Sequence, residues 1–577
     1  MSEALLARPR PDGASVPQSV EAPAIRVEGL GKTFHVPQQR YTRLRERLVD
    51  RFRAEPPEEL RALEDVSFEV RRGEFFGVAG RNGSGKSTLL RCVAGIYDYE
   101  EGMIEVSGRL APFVELGVDL RPDLSARDNV ILNATMLGLS RAEAHRRLES
   151  IMAFAGVEEF GTMKLRNFSE GMKVRLAFSV AIQVDADVLL VDEVLAVGDS
   201  AFERRCFEEF DRLKREGRTL LLVTHDMDAL RRHCDRGLLL EAQRVVAVGD
   251  PEQIAARYED LNRVNYEPRA SGPPEAVDEA PAPVPPERNA GLPPQPAPSV
   301  SSAGTTATYR PAAVGDDLSR LANVTLSLAI TEFRMKYLDS ALGYVWAVLR
   351  PFLFFLVLYA VFDGIAGLGS GVEHYGVYVL TAVVMWTFFA ETVTGSVTCL
   401  RTSEGLLRKL RFPQIAIPLS VSARGGMNLL ANTGVVLIFV VAVQLEPRWS
   451  WLELPLLAAL LALFAIGLGT MLSVAYVRYR DTYEVWGLTQ QLLFFGSPII
   501  YTAGRYPEQV QELLSLSPIA AVFTQMRHAL IDPSAPTAAE MVGGTAMLLI
   551  PLGIVAGTLV LGLWLFSREA PRVAERL

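Results

Sequence analysis

From Ile25 to about Leu261, short apolar runs bounded by turn residues alternate with amphipathic stretches of helical period. FFGVAG (Phe75–Gly80), VLLVDE (Val188–Glu193) and LLLVTHD (Leu220–Asp226) are apolar on both faces, the pattern of strands buried in a largely parallel sheet. Beyond Leu318 the pattern changes. Gly425–Leu445, Leu454–Val477, Val485–Gly504 and Met541–Ser567 contain no charged residue, and each reaches or nears the ~20 residues that a membrane-spanning helix needs. Tyr344–Phe362 and Tyr375–Thr398 carry one charge each, Arg350 and Glu391. Six spans are therefore predicted. Pro498, Pro507 and Pro518 interrupt the stretch 496–531, where a re-entrant hairpin is the alternative. Leu318–Phe333 alternates apolar and polar residues at helical spacing and reads as a helix lying in the membrane interface.

Between the two patterns, Pro268–Pro298 holds 11 prolines in 31 residues, an extended linker that cannot form a packed core. The predicted organisation is a disordered Pro-, Ala- and Ser-rich segment over 1–23, a mixed α/β domain over 24–262, a linker over 263–315, and an all-α polytopic membrane domain over 316–577.

Composition agrees with this division. Hydrophobic residues make up 49% and the mean hydropathy is +0.19, yet 22% of the chain is charged. The first 317 residues hold 92 of the 125 charged side chains and the last 260 hold 33. Net charge divides as 41 − 51 = −10 and 17 − 16 = +1. A purely soluble enzyme is excluded, and an acidic soluble half argues against nucleic acid as a partner. Cys92, Cys206, Cys234 and Cys399 are far apart, which predicts free thiols in a reducing compartment. MSEALLARPRPDGAS lacks the apolar core of a signal peptide, so the soluble half is expected in the cytoplasm. Lys and Arg then fall 14 inside and 3 outside (Arg448, Arg505 and Arg527), as the positive-inside rule requires.

The chemistry concentrates in three places. Gly80, Arg81, Asn82, Gly83, Ser84, Gly85, Lys86, Ser87 and Thr88 fit G-x-x-x-x-G-K-[ST] directly between a strand and a helix. Such a loop turns backbone N–H groups around phosphate, with Lys86 reaching the β- and γ-phosphates and Ser87 ligating Mg²⁺. Val188–Val191 followed by Asp192 and Glu193 has the form of a strand that delivers one carboxylate to Mg²⁺ and the next, as general base, to the attacking water. His225, at the end of a third apolar strand, is a candidate γ-phosphate sensor.

Together these residues resemble the ATPase of an ABC transporter over about 235 residues. In FSEGMKVRLAF, Ser169 and Gly171 are similar to the family's signature loop, with Glu170 where a second glycine is usual; Asp199 matches the D-loop aspartate. The resemblance implies that the signature loop completes the ATP site of a second copy of the chain. It also implies that Phe34, or its rival Tyr41, stacks on adenine. The family's glutamine between Walker A and signature is absent, and Glu115 in VELG stands nearest its place.

The S-x-G-M-x-x-R-L-A-F form, the run Asp192–Asp199 and the segment Val114–Ser125 resemble the ATPases of exporters of O-antigen, capsule or teichoic acid. Gln39–Arg53 reads as a basic amphipathic helix at the membrane surface. Phe333–Pro351 resembles the approach to the first span of the matching permeases, and Arg401–Arg411 with FPQIAIP resembles their coupling helix. The resemblance implies an ATP-driven homodimeric exporter of a lipid-linked glycan in the cytoplasmic membrane, using ATP and Mg²⁺ and contacting membrane lipids. The alternatives are an exporter of drugs or simple lipids and a membrane-anchored ATPase that moves nothing.

Overall fold

The computed structural model describes residues 22–36, 58–113, 120–192, 200–264, 307–308, 317–338, 343–367, 369, 372–502, 507, 510–511, 514 and 516–576. The expected Gln39–Arg53 helix, the proline-rich run and nearly all of the 1–23 segment lie outside the described residues.

The α/β half runs β1 (Ile25–Val36), β2 (Glu58–Val70), β3 (Phe75–Gly80), α1 (Lys86–Val93), β4 (Glu101–Val106), β5 (Leu110–Phe113), α2 (Ala126–Met136), α3 (Arg141–Ala155) and α4 (Glu170–Ile182). It continues with β6 (Val188–Val191), α5 (Ser200–Arg215), β7 (Thr219–Val223), α6 (Met227–His233), β8 (Arg236–Glu241), β9 (Arg244–Gly249) and α7 (Pro251–Val264). β3, β6 and β7 are buried along their whole length, as apolar runs packed on both faces must be. They sit in a six-stranded sheet ordered β5-β6-β7-β3-β8-β9, parallel except for its β9 edge. β1, β2 and β4 form a second, antiparallel sheet with β10 (Ala307–Thr308) at its edge. Helix ends follow local chemistry: a Ser140–Glu143 capping box starts α3, and Gly156 in the left-handed conformation ends it.

The helical half contains α8 (Leu318–Leu338), α9 (Val345–Tyr359), α10 (Tyr375–Thr402), α11 (Glu404–Lys409), α12 (Ala416–Ala442), α13 (Glu453–Arg478), α14 (Thr482–Gly496), α15 (Pro518–Leu530), α16 (Ala538–Val542) and α17 (Leu549–Arg576). Among the described residues, five helical stretches are long and apolar enough to cross a membrane: Val345–Ile365, Tyr375–Thr402, Ala416–Ala442, Trp449–Arg478 and Thr545–Glu575.

The segment expected as a span over 485–504 differs. Its helix, α14, has 15 residues and stops before Pro498. At 1.5 Å per residue that is about 22 Å, short of the ~30 Å hydrocarbon layer. Even so, the chain makes the passage. α13 and α17 run parallel: both begin near α15 and both end toward the ATPase, with Gln525 on Glu453 at 2.7 Å at one end and Lys32 on Glu575 at 2.9 Å at the other. The chain between them must therefore cross back. Residues 497–502, after α14, are non-helical, and there the Tyr375 hydroxyl donates to the Ile500 carbonyl at 2.7 Å and Tyr378 donates to Pro498. These tyrosines satisfy carbonyls that lipid could not.

The two halves share one continuous core. Val324 and Leu328 of α8, Leu406 and Leu407 of α11, and Phe566 and Val573 of α17 pack in the same cluster as Val130, Leu148 and Leu165 of the α/β half.

Candidate nucleotide site and its link to the membrane half

The loop between β3 and α1 is shaped by its glycines. Gly83 and Gly85 adopt φ of 81° and 105°, in the left-handed region that side chains avoid. A Cβ on Gly85 would lie 2.6 Å from the Ala62 carbonyl oxygen, so β2 leans directly on the loop. The Lys86 ammonium is held by the carbonyls of Gly80 (2.8 Å) and Arg81 (3.2 Å). Lys86 is buried with its ammonium at the loop, and the Ser84 hydroxyl is buried without a hydrogen-bond partner among the described residues. This cradle fits the phosphates of ATP, with Ser87 and Thr88 in the first turn of α1 behind it. Arg81 and Asn82 form the outer rim of the turn.

Sheet order brings the other candidates to the same edge. β7 lies between β3 and β6, so Gly80, Asp192 and His225 all follow the carboxyl ends of neighbouring parallel strands. Two strand spacings, about 10 Å, separate the Lys86 loop from Asp192, room for a phosphate chain and a cation. Asp192 is buried and His225 exposed. The turn carrying His225 is fixed by Asp226, whose N–H donates to Thr224 and whose carboxylate caps α6. Glu193, Asp199 and Glu115 lie outside the described residues. No group of three or more His, Cys, Asp or Glu forms a metal cluster among the described residues.

Ser169 caps α4, accepting from the Met172 N–H at 3.2 Å, and Gly171 follows in its first turn. Glu170, at the position of the usual second glycine, pairs with Lys173 at 2.7 Å. α4 packs on β5, three strands from β3. Within one chain the signature loop and the Lys86 loop are thus not brought together. Phe34 is half-buried, edge-on to Tyr97 at 5.6 Å between centroids; Tyr41 is outside the described residues.

Burial pushes the Cys92, Cys206 and Cys234 thiols up to about 12, so they stay protonated at neutral pH. All four cysteines are free and buried.

Several functional contacts were not foreseen. Arg334 of α8 reaches Asp128 of α2 at 2.7 Å, and Arg320 donates to the carbonyls of Met136 and Arg411, joining α8, the α/β half and the segment after α11. At the membrane side of α8, Lys336 pairs with Glu391 at 3.0 Å, and Asn428 donates to the same carboxylate at 3.1 Å. Glu391 thus turns toward α8 and α12. Arg424 pairs with Glu332 at 2.8 Å, and burial pushes that carboxyl above its usual range despite the guanidinium. These groups border a groove of about 770 Å³ walled by Phe354, Trp386, Phe494 and Phe495. A smaller pocket sharing Lys336 and Glu391 adds Arg350 and Trp346. Finally, Lys32 of β1 is fully buried against Glu100 and Glu575. A lysine in the inward row Leu30–Lys32–Phe34 was the available signal, because such rows are normally apolar.

Residues 63–196 match the family model described as "ABC transporter", and residues 324–531 match "ABC-2 type transporter". The chain is 38% identical over 248 residues to ABC transporter protein AbcA of Aeromonas salmonicida, covering 43% of this chain and 80% of that protein. It is 44% identical over 197 residues to the O-antigen export system ATP-binding protein RfbB of Klebsiella pneumoniae, covering 34% of this chain and 80% of that one. The teichoic acids export ATP-binding protein TagH of Lactococcus lactis subsp. lactis (strain IL1403) is 35% identical over 198 residues, 34% of this chain and 42% of that protein.

Proposed function

Because the chain belongs to the ABC transporters, in their polysaccharide-exporter branch, and carries their ATPase and their ABC-2 type membrane domain in one polypeptide, we propose that it exports a lipid-linked polysaccharide of the O-antigen, capsule or teichoic-acid type. ATP hydrolysis powers the export, across the cytoplasmic membrane, and the working unit is a homodimer. In each site Lys86 and the N–H groups of 80–88 hold the phosphates, while Ser87 and Asp192 hold Mg²⁺. A bound Mg²⁺ would supply Lewis-acid neutralisation of charge on the phosphates. Glu193 takes a proton from the attacking water and His225 orients toward the γ-phosphate. Ser169 and Gly171 come from the second copy, which agrees with their distance from Lys86 along the sheet of one chain, and Asp199 serves as the D-loop aspartate.

The observation that carries the substrate reading is the groove between α8, α10 and α14. Its lining offers Lys336 and Arg424, with Arg350 in the smaller pocket that shares Lys336, and its wall offers four aromatic rings. Cationic groups suit a lipid pyrophosphate, and aromatic faces suit sugar rings. The substrate phosphate competes with Glu391 for Lys336, so binding loosens the contact between α8 and α10. The test is ATPase stimulation in nanodiscs by a pyrophosphate-linked lipid oligosaccharide. Replacing Lys336 and Arg350 with Gln is expected to weaken the apparent affinity for this lipid about tenfold. Equal stimulation by uncharged lipids or by drugs would instead support the simpler-lipid or drug exporter.

A further inference from the structure

The end of α17 is inserted into the ATPase. Ala574, 1% exposed, packs in the cluster formed by β1, β2 and β4 together with Leu89, Leu90, Cys92 and Val93 of α1, the helix that begins with Lys86. Beside it, the Glu575 carboxylate accepts from the Lys32 ammonium at 2.9 Å and from the Asp98 N–H at 3.2 Å. The Lys32 side chain is 0% exposed, and its second partner is Glu100 at 3.0 Å, which also accepts from the Thr33 N–H. The same ammonium stands 5.0 Å from the Phe34 ring centroid, and Phe34 meets Tyr97, which packs under Arg91 of α1. A chain of contacts thus runs from a membrane helix, through one buried charge, to the back of the phosphate-binding helix and to the ring nominated for adenine.

Such a charge is over-determined. Burial alone would pull the Lys32 pKa down, but its two carboxylates reverse the effect and hold it above the ordinary value. Removing one carboxylate leaves a buried ammonium with one partner, and removing the ammonium leaves two carboxylates facing each other. The ion triad thus ties the end of α17 to β1 and to the turn after α1. α17 is also the helix on which the coupling segment α11 rests and against which α13 packs.

We propose that Glu575 and Lys32 are positioning residues for ATP hydrolysis, through which α17 holds α1 and Phe34 in the arrangement that binds nucleotide. Movement of α17 during transport then changes nucleotide affinity by a route separate from the coupling segment. The proposal rests on the ATPase assignment alone. Its test uses only ATP, so its failure leaves the polysaccharide reading standing and the converse also holds.

The experiment compares the full chain in nanodiscs with Glu575→Gln, Lys32→Glu and the double variant Lys32→Glu/Glu575→Lys. The double variant keeps two carboxylates and one ammonium at the site with their positions exchanged. Glu575→Gln is expected to raise the KM for ATP about three- to tenfold with a smaller change in kcat, and the exchange should recover most of that loss. Binding of a fluorescent ATP analogue, read directly, should weaken in parallel. A merely structural contact would lower kcat and the melting temperature together and leave KM unmoved. Should Lys32→Glu alone fail to fold, the exchanged pair against Glu575→Gln still decides. An unchanged KM in Glu575→Gln, or an exchanged pair no better than the single variants, overturns the proposal.

Discussion

Gly85 shows how closely the phosphate loop is fitted to its surroundings. Its backbone angle excludes a side chain without strain, and β2 leaves no space for a methyl group. Gly83 shares the left-handed angle but has open space around it. Gly85→Ala is therefore expected to cost about 2 kcal/mol or more and to abolish stabilisation by ATP, whereas Gly83→Ala should cost only about 1 kcal/mol. Thermal melting with and without ATP measures both, and equal effects would mean that the contact with Ala62 does not matter. Residues 80–88 were legible in the sequence because the chemistry of a phosphate loop is contiguous. Lys32 was not, because its partners Glu100 and Glu575 lie 68 and 543 residues away. Asp128 and Arg334 are likewise 206 residues apart.

Among the elements, the strands of the parallel sheet and the helix expected over Leu318–Phe333, which runs on to Leu338, could be read from periodicity, since each buries a face that its own sequence defines. Helix ends in the membrane half were harder to read. Hydropathy extends through Val485–Gly504, but Ser497 and Pro498 end the helix, and the tyrosines of α10 satisfy carbonyls that follow it. Packing between helices was not legible, because small residues carry no hydropathy signal. α13 and α17 approach closely where Gly467 meets Gly562, and a methyl on Gly562 would overlap the Gly467 carbonyl oxygen. Gly557, on the same helix, has open space. Gly562→Val should destabilise the membrane half by about 1–3 kcal/mol and lower its melting temperature in detergent, while Gly557→Ala should leave it near the parent. Equal melting of the two variants would show that this crossing is not closely packed.

At the scale of the molecule, the ATPase and the helical half meet through a shared core, the α8 contacts of Arg334 with Asp128 and of Arg320 with Met136, and the end of α17. That continuity suits a machine in which nucleotide state and membrane conformation change together. The division into an acidic α/β half and an apolar helical half of nearly neutral net charge was visible in composition alone, whereas their joint core depends on residues drawn from both. A hydrated polymer cannot cross ~30 Å of hydrocarbon without a polar or aromatic path, and it is too long to be enclosed at once. Export should therefore continue through several ATP cycles per glycan, with the groove beside Lys336 as the place of capture. The measurement that tests this most directly is ATP-dependent delivery of lipid-linked glycans of short and long chain length into inverted membrane vesicles, with Glu193→Gln as the comparison. The expected result is that both lengths enter with ATP and neither enters with the Glu193→Gln chain. Delivery of drugs or short lipids while long glycans never enter, or delivery that persists in Glu193→Gln, would contradict the account.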